Sequence, residues 1–213
     1  MKIDLTGKRA LIAGGSRGIG LAIALRAAKD GASIAIAAKT TDPHPKLPGT
    51  IFTAAKEIED AGGKSLAIQC DIRDENQISE SMEKAAAEFG GIDILINNAG
   101  TLINKPFSET TLSDFDKVYK TNVFGVAELT RVVIPYMKKE GHVVNISSMG
   151  GVQGSVKFAG LAAYSSSKGA LITLTELLAE EYKATGPSFN VLALGAVVKI
   201  GRASCRERVS SPV

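Results

Sequence analysis

Short apolar or β-branched runs alternate along the chain with longer stretches in which apolar residues recur at helical spacing, the pattern of successive βα units around a parallel sheet. The candidate strands are residues 9–14, 33–38, 65–70, 92–97, 142–147 and 189–194. Helical patterning covers 18–30, 50–61, 75–89, 112–139 and 162–185. Gly31 and the pair Gly62-Gly63 follow helices where a left-handed cap is wanted. The proline-rich segment 40–49 cannot be helix interior and reads as an exposed loop after the second strand.

With 213 residues, 45% apolar and 22% charged, the composition is that of one globular domain that needs no disulfide or structural metal. Cys70 and Cys205 lie far apart with no second Cys or His nearby, which excludes a zinc ribbon and fits a reducing, cytoplasmic setting; no metal site is expected. Cys70 itself reads as a buried strand residue. The net charge of +3 is concentrated at the end of the chain, because residues 200–213 hold three Arg and one Glu. The remainder is nearly neutral, which argues against nucleic-acid binding. No apolar run approaches the ~20 residues that cross a bilayer, so neither a membrane partner nor a signal peptide is expected.

Between the first strand and the first helix stands Ala13-Gly14-Gly15-Ser16-Arg17-Gly18-Ile19-Gly20. Glycines permit a tight turn and close backbone approach, while the helix N-terminus offers free N–H groups and a positive dipole to a pyrophosphate. Such a motif is weak alone and gains weight from the strand before it and the helix after it. An acid at the end of the second strand would bind a ribose 2′-hydroxyl; here the strand ends Ala37-Ala38-Lys39-Thr40, with no acid before Asp42. Lys39, with Arg17 converging from the glycine loop, favours NADP(H) over NAD(H); the plainer reading of Lys39 is a solvated charge.

The Gly-x3-Gly-x-Gly spacing resembles that of the short-chain dehydrogenase/reductases, and three further motifs agree in order. They are Asn97-Asn98-Ala99-Gly100 after the fourth strand, Ile146-Ser147-Ser148 ending the fifth, and Tyr164-Ser165-Ser166-Ser167-Lys168 opening the next helix. The resemblance covers residues 5 to about 198, and the first seventy-odd residues, including the segments 37–40 and 44–51, are similar to the hydroxysteroid dehydrogenase-like branch. Ala13 stands where the family commonly has Thr, and Leu194-Gly195 where Pro-Gly is usual. The resemblance implies an α/β, doubly wound parallel sheet (Rossmann fold) of order 3-2-1-4-5-6, with ligands at the strands' carboxyl ends.

It also implies site residues. Tyr164 would exchange a proton with the substrate oxygen, Lys168 would favour the phenolate and hold the nicotinamide ribose, and Ser148 would orient the carbonyl. Tyr164 and Lys168 are four apart and share a helix face. Asn122, in Thr121-Asn122-Val123-Phe124-Gly125, would support a proton-relaying water. The cofactor set is Gly14, Ser16, Arg17, Gly18, Ile19, Gly20, Lys39, Asp71, Ile72, Asn98, Ala99 and Gly100, with Asn97 alongside Ala99, and with Tyr164 and Lys168. Plainer alternatives stay open: Tyr164 as core and Lys168 as surface charge, Ser147 as the reactive serine, Asn122 as packing, Asp71 as a helix cap.

Ile200 onward reads IGRASCRERV, which matches the translation of a common sequencing adapter. The expectation is that residues 1–198 form an incomplete domain of this kind, lacking the family's last strand and lid, and that 199–213 are non-native. The function expected is hydride transfer between NADP(H) and a carbonyl or secondary alcohol, in a chain that would be a homodimer or homotetramer at full length. A nucleotide-binding but catalytically silent protein is the second reading. A nucleotide-sugar epimerase, the third, would lead one to expect a different glycine spacing.

Overall fold

The computed structural model describes residues 4–43 and 49–197. Strands β1 (Arg9–Ala13), β2 (Ser33–Ala38), β3 (Lys64–Gln69), β4 (Ile92–Asn97), β5 (Met137–Ser148) and β6 (Ser188–Leu194) form one sheet of order β3-β2-β1-β4-β5-β6. Every pairing is parallel. The order is the one expected from the sequence, and the tail and the 44–48 part of the proline-rich loop lie outside the described residues.

β1 and β2 read as unbroken apolar runs because both faces of the sheet are covered. One parity, Leu11, Ala13, Ala35, Ala37 and Leu95, packs with Ile78, Met82, Leu129 and Leu171. Those come from α3 (Glu75–Phe89), α5 (Gly125–Val133) and α6 (Ala162–Glu181). The other parity, Ala10, Ile12, Ile34 and Ile36, packs with Ala24, Ala28, Ile51 and Ile58 of α1 (Gly18–Lys29) and α2 (Ile51–Asp60). Burial of large side chains on both faces, each stabilising by roughly 1.5–3 kcal/mol, supplies the main driving force.

The long helix expected over 112–139 is broken. α4 (Leu112–Tyr119) runs into a wide π turn, Lys120–Phe124, then α5, then a 3-10 turn at Ile134–Tyr136. Pro135 lacks an N–H and its ring clashes with the preceding turn, so the helix cannot continue. Residues 137–139 instead begin β5: Met137 pairs with Ile92 and His142 with Ile94, leaving three extra residues bulged from the ladder. Exposed Lys138, Lys139 and Glu140 carry no periodic signal that could have revealed this. α6 also stops short of the expected 185, where Gly186 N–H closes a turn onto Tyr182 O at 2.9 Å.

A buried polar ladder crosses the half of the sheet that carries the site. Asn97 Nδ2 donates to Thr130 Oγ1 (3.0 Å) and to Asn145 Oδ1 (2.8 Å), and Asn145 Nδ2 donates to Thr175 Oγ1 (2.9 Å). Both threonines donate in turn to their own helices, at Val126 O and Leu171 O. The ladder thus joins α5, β4, β5 and α6. It also corrects the expectation that Asn97 lines the cofactor: by strand alternation its side chain follows Leu95 into the interior, where Oδ1 has no partner among the described residues. Asn145→Ala should therefore cost about 1–3 kcal/mol by leaving Asn97 and Thr175 under-bonded. Urea unfolding followed by circular dichroism checks this, and an unchanged midpoint would contradict the ladder.

Candidate active site

The carboxyl ends of the strands open on a cleft of about 640 Å³, a size suited to an organic ligand. Its lining includes Gly14, Ser16, Arg17, Ile19, Lys39, Asp71, Ile72, Asn98, Ala99, Gly100, Ser148, Tyr164 and Lys168. Gly18, Gly20 and Asn122 of the expected set stand outside the lining and act on it through the backbone or from behind.

In the middle of the cleft floor, the loops after β1 and β4 press together. Gly14 adopts φ +76°, and a Cβ there would come within 2.8 Å of Ala99 Cα. A Cβ on Gly20 would fall 2.3 Å from Gly14 O and 2.6 Å from Asn98 Nδ2. Asn98 locks the contact, donating from its side chain to Gly14 O (2.9 Å) and from its backbone to Ala13 O (3.1 Å). The bare backbone that results at the start of α1 is a cradle that a pyrophosphate fits. Arg17 reaches across to Gly49 O (2.8 Å), toward the end of β2 where exposed Lys39 stands.

The β3–α3 loop decides what Asp71 does. Asp74, not Asp71, caps α3, accepting from Asn76 N and Gln77 N. The Asp71 carboxylate faces the cleft and is gripped by Arg73 through Nε, Nη2 and the backbone N–H. That grip holds the Asp71 carboxyl below the ordinary carboxylate range against the effect of partial burial, with Lys39 adding a smaller attraction. Cys70 is buried beside this loop, and burial pushes its thiol upward.

At the other end, Tyr164 and Lys168 share the cleft-facing side of α6. Lys168 Nζ lies 5.9 Å from the Tyr164 ring centroid and donates to Ile146 O at 2.7 Å. It is 4% exposed, and burial lowers its pKa to about 8. Ser147 and Ser148 both border the cleft, but Ser147 Oγ is committed to Lys168 O (2.8 Å). Ser148 is half-buried, with Oγ accepting from Gly150 N at 3.3 Å.

Asn122 occupies the π turn, which accounts for a polar residue in mid-helix. Its Oδ1 accepts from Thr101 N (2.8 Å); its Nδ2 donates to Thr101 O (2.9 Å) and Ser167 Oγ (3.0 Å). Ser167 Oγ donates on to Tyr164 O at 2.7 Å. The asparagine therefore ties the β4 loop to the start of α6, with Gly100 alongside, where a Cβ would make only ordinary contacts, 3.4 Å from Asn122 Oδ1 and 3.6 Å from Lys168 Nζ. Ser167, Thr101 and the Ile146 carbonyl escaped the sequence reading. Nothing in the run Ser165-Ser166-Ser167 says which hydroxyl turns inward.

Among the described residues no group of His, Cys, Asp or Glu could hold a metal, and no helix is long and apolar enough to cross a membrane. Residues 8–208 match the short chain dehydrogenase family. The chain is 46% identical over 181 residues to hydroxysteroid dehydrogenase-like protein 2 of Xenopus tropicalis, a match covering 84% of this chain and 43% of that protein. The chain thus spans less than half the length of this curated relative. A short chain dehydrogenase from Mycobacterium thermoresistibile superposes with a TM-score of 0.81 at 40% identity, over 89% of this chain and 68% of that one. One from Burkholderia cenocepacia, in complex with NADP, gives 0.79 at 35% identity, over 89% and 74%. With glycine cradle, sheet order and sequence in agreement, the chain belongs to the short-chain dehydrogenase family, whose members are nicotinamide-dependent oxidoreductases.

Proposed function

We propose that this chain transfers a hydride between NADP(H) and a carbonyl or secondary-alcohol substrate. The observation that carries the proposal is the convergence of Tyr164, Lys168 and Ser148 in the cleft that also holds the glycine cradle. Bound nicotinamide would supply or accept the hydride. The rest falls to the chain's own groups. Gly14, Ser16, Gly18, Ile19 and Gly20 shape the phosphate cradle, Asn98, Ala99 and Gly100 form the wall opposite it, and Asp71 and Ile72 border the base.

Tyr164 hands a proton to, or takes one from, the substrate oxygen, while Ser148 donates a hydrogen bond to that oxygen. Lys168 stabilises the negative charge left on the Tyr164 oxygen, and its ammonium is held in place by Ile146 O. Asn122 positions Tyr164 through Ser167 and fixes the Thr101 backbone beside it. Lys39 and Arg17, with no acid at the end of β2, support the preference for a 2′-phosphate. The Burkholderia relative's complex with NADP supports the same choice.

Nicotinamide fluorescence titration, followed by turnover of an aldehyde and ketone panel, tests this reading; binding without turnover would favour the silent alternative. Tyr164→Phe should lower turnover by roughly 10²- to 10⁴-fold while leaving nucleotide affinity within about threefold, since the lost group is a proton donor and not a phosphate ligand.

Lys168 also predicts a pH dependence of stability. Its folded pKa of about 8 lies below the ordinary lysine value of 10.5, so the unfolded chain binds the extra proton between those limits. Stability therefore rises as pH goes from about 8 to about 10.5, and below 8 the burial costs about 3 kcal/mol. Lys168→Met should flatten that slope in denaturant titrations across the same window. An unaltered slope would show that the lysine is not the group responsible.

A further inference from the structure

Asp71, Arg73 and Lys39 meet at the nucleotide end of the cleft in an arrangement that proton transfer does not use. We propose that Arg73 is an internal counter-ion that neutralises Asp71, leaving Lys39 available to a 2′-phosphate, so that the β3–α3 loop is a specificity element of the nucleotide site. The proposal rests on the NADP(H) reading above and adds to it a residue that does not itself hold the phosphate.

The charges set the problem. Lys39 lies close enough to Asp71 to contribute to the lowering of its pKa. Unopposed, that carboxylate would attract the lysine ammonium to itself and repel an incoming phosphate, whose charge has the same sign. Arg73 removes both effects. It donates to the carboxylate through Nε at 2.9 and 3.1 Å, through Nη2, and through its own backbone N–H at 3.1 Å. Lys39 makes no ion pair within 4.0 Å among the described residues.

The loop is also braced, so the carboxylate cannot swing toward Lys39 without breaking its bonds. Gln77 Oε1 accepts from Asp71 N (2.9 Å), and Gln77 Nε2 donates to Asp74 Oδ2 (2.9 Å). Asp74 in turn caps α3. Exposed ion pairs add little to stability in general, so a bidentate pair fixed at three points on the cleft lining points to the field it sets inside the cleft.

Equilibrium fluorescence titration of the full chain with NADPH and with NADH tests this without reference to turnover. The ratio of the two affinities, taken on one sample, does not depend on the fraction folded. Arg73→Met, which keeps the aliphatic stem, should weaken NADPH by about tenfold or more and NADH by no more than about threefold. Arg73→Lys should retain most of the preference, and Asp71→Asn combined with Arg73→Met should restore it, because the charge needing neutralisation has gone. Equal weakening of both nucleotides, or a double variant worse than Arg73→Met alone, would show that Arg73 only holds the loop and would overturn the proposal. A preference that survives Arg73→Met overturns it alone. A parent chain that binds both nucleotides alike overturns the NADP(H) reading and this inference with it.

Discussion

The structure depends on the close contact between two backbones where β1 and β4 end. Gly14 and Gly20 leave no room for a Cβ between themselves, Ala99 and the Asn98 side chain, and Asn98 fastens the contact with two hydrogen bonds. These strands are neighbours at the centre of the sheet, so the contact closes the floor of the cleft at its middle. The proposed nucleotide end lies to one side of it, over β2 and β3, and the proposed proton-transfer end to the other, over β5 and α6. A side chain at either glycine would move one loop against the other and so change the distance between the two ends.

The end of the cleft that carries Tyr164 is built around a buried lysine, Lys168. Burying Lys168 disfavours its charged form, yet the Ile146 carbonyl gives it a hydrogen bond. Around it, Ser147 holds the α6 backbone and Asn122 holds Ser167 and the β4 loop. The deeper ladder through Asn97 and Asn145 fixes β4, β5, α5 and α6 with respect to one another. Polar groups buried in this way are costly unless bonded, so the bonds they do make, with Asn97 Oδ1 alone left over among the described residues, hold the elements around Tyr164 in a rigid frame.

The nucleotide end uses charge where the other end uses burial. Lys39, Arg17, Asp71 and Arg73 all border the cleft, and the single carboxylate among them is already paired. Lys39, which makes no ion pair among the described residues, therefore keeps its positive charge available at the end of β2. An electrostatic preference for an anion, as proposed above, would arise there from side chains that are exposed or half-buried.

Much of this was legible in the chain itself. Two-faced apolar runs dictate a covered parallel sheet, and the order of the glycine, Asn-Asn-Ala-Gly, serine and Tyr-x3-Lys motifs dictates where the cleft opens, because local periodicity and turn chemistry are properties of neighbouring residues. Only the folded chain decided what depends on distant partners. The inward turn of Asn97, the commitment of Ser147 to the α6 backbone, and the choice of Ser167 from three serines each follow from contacts more than twenty residues away along the chain. So does the break at Pro135, whose outcome as an early strand was set by pairing with Ile92. Spacing along a sequence names the residues able to act; the hydrogen bonds formed across the sheet select which of them face the cleft.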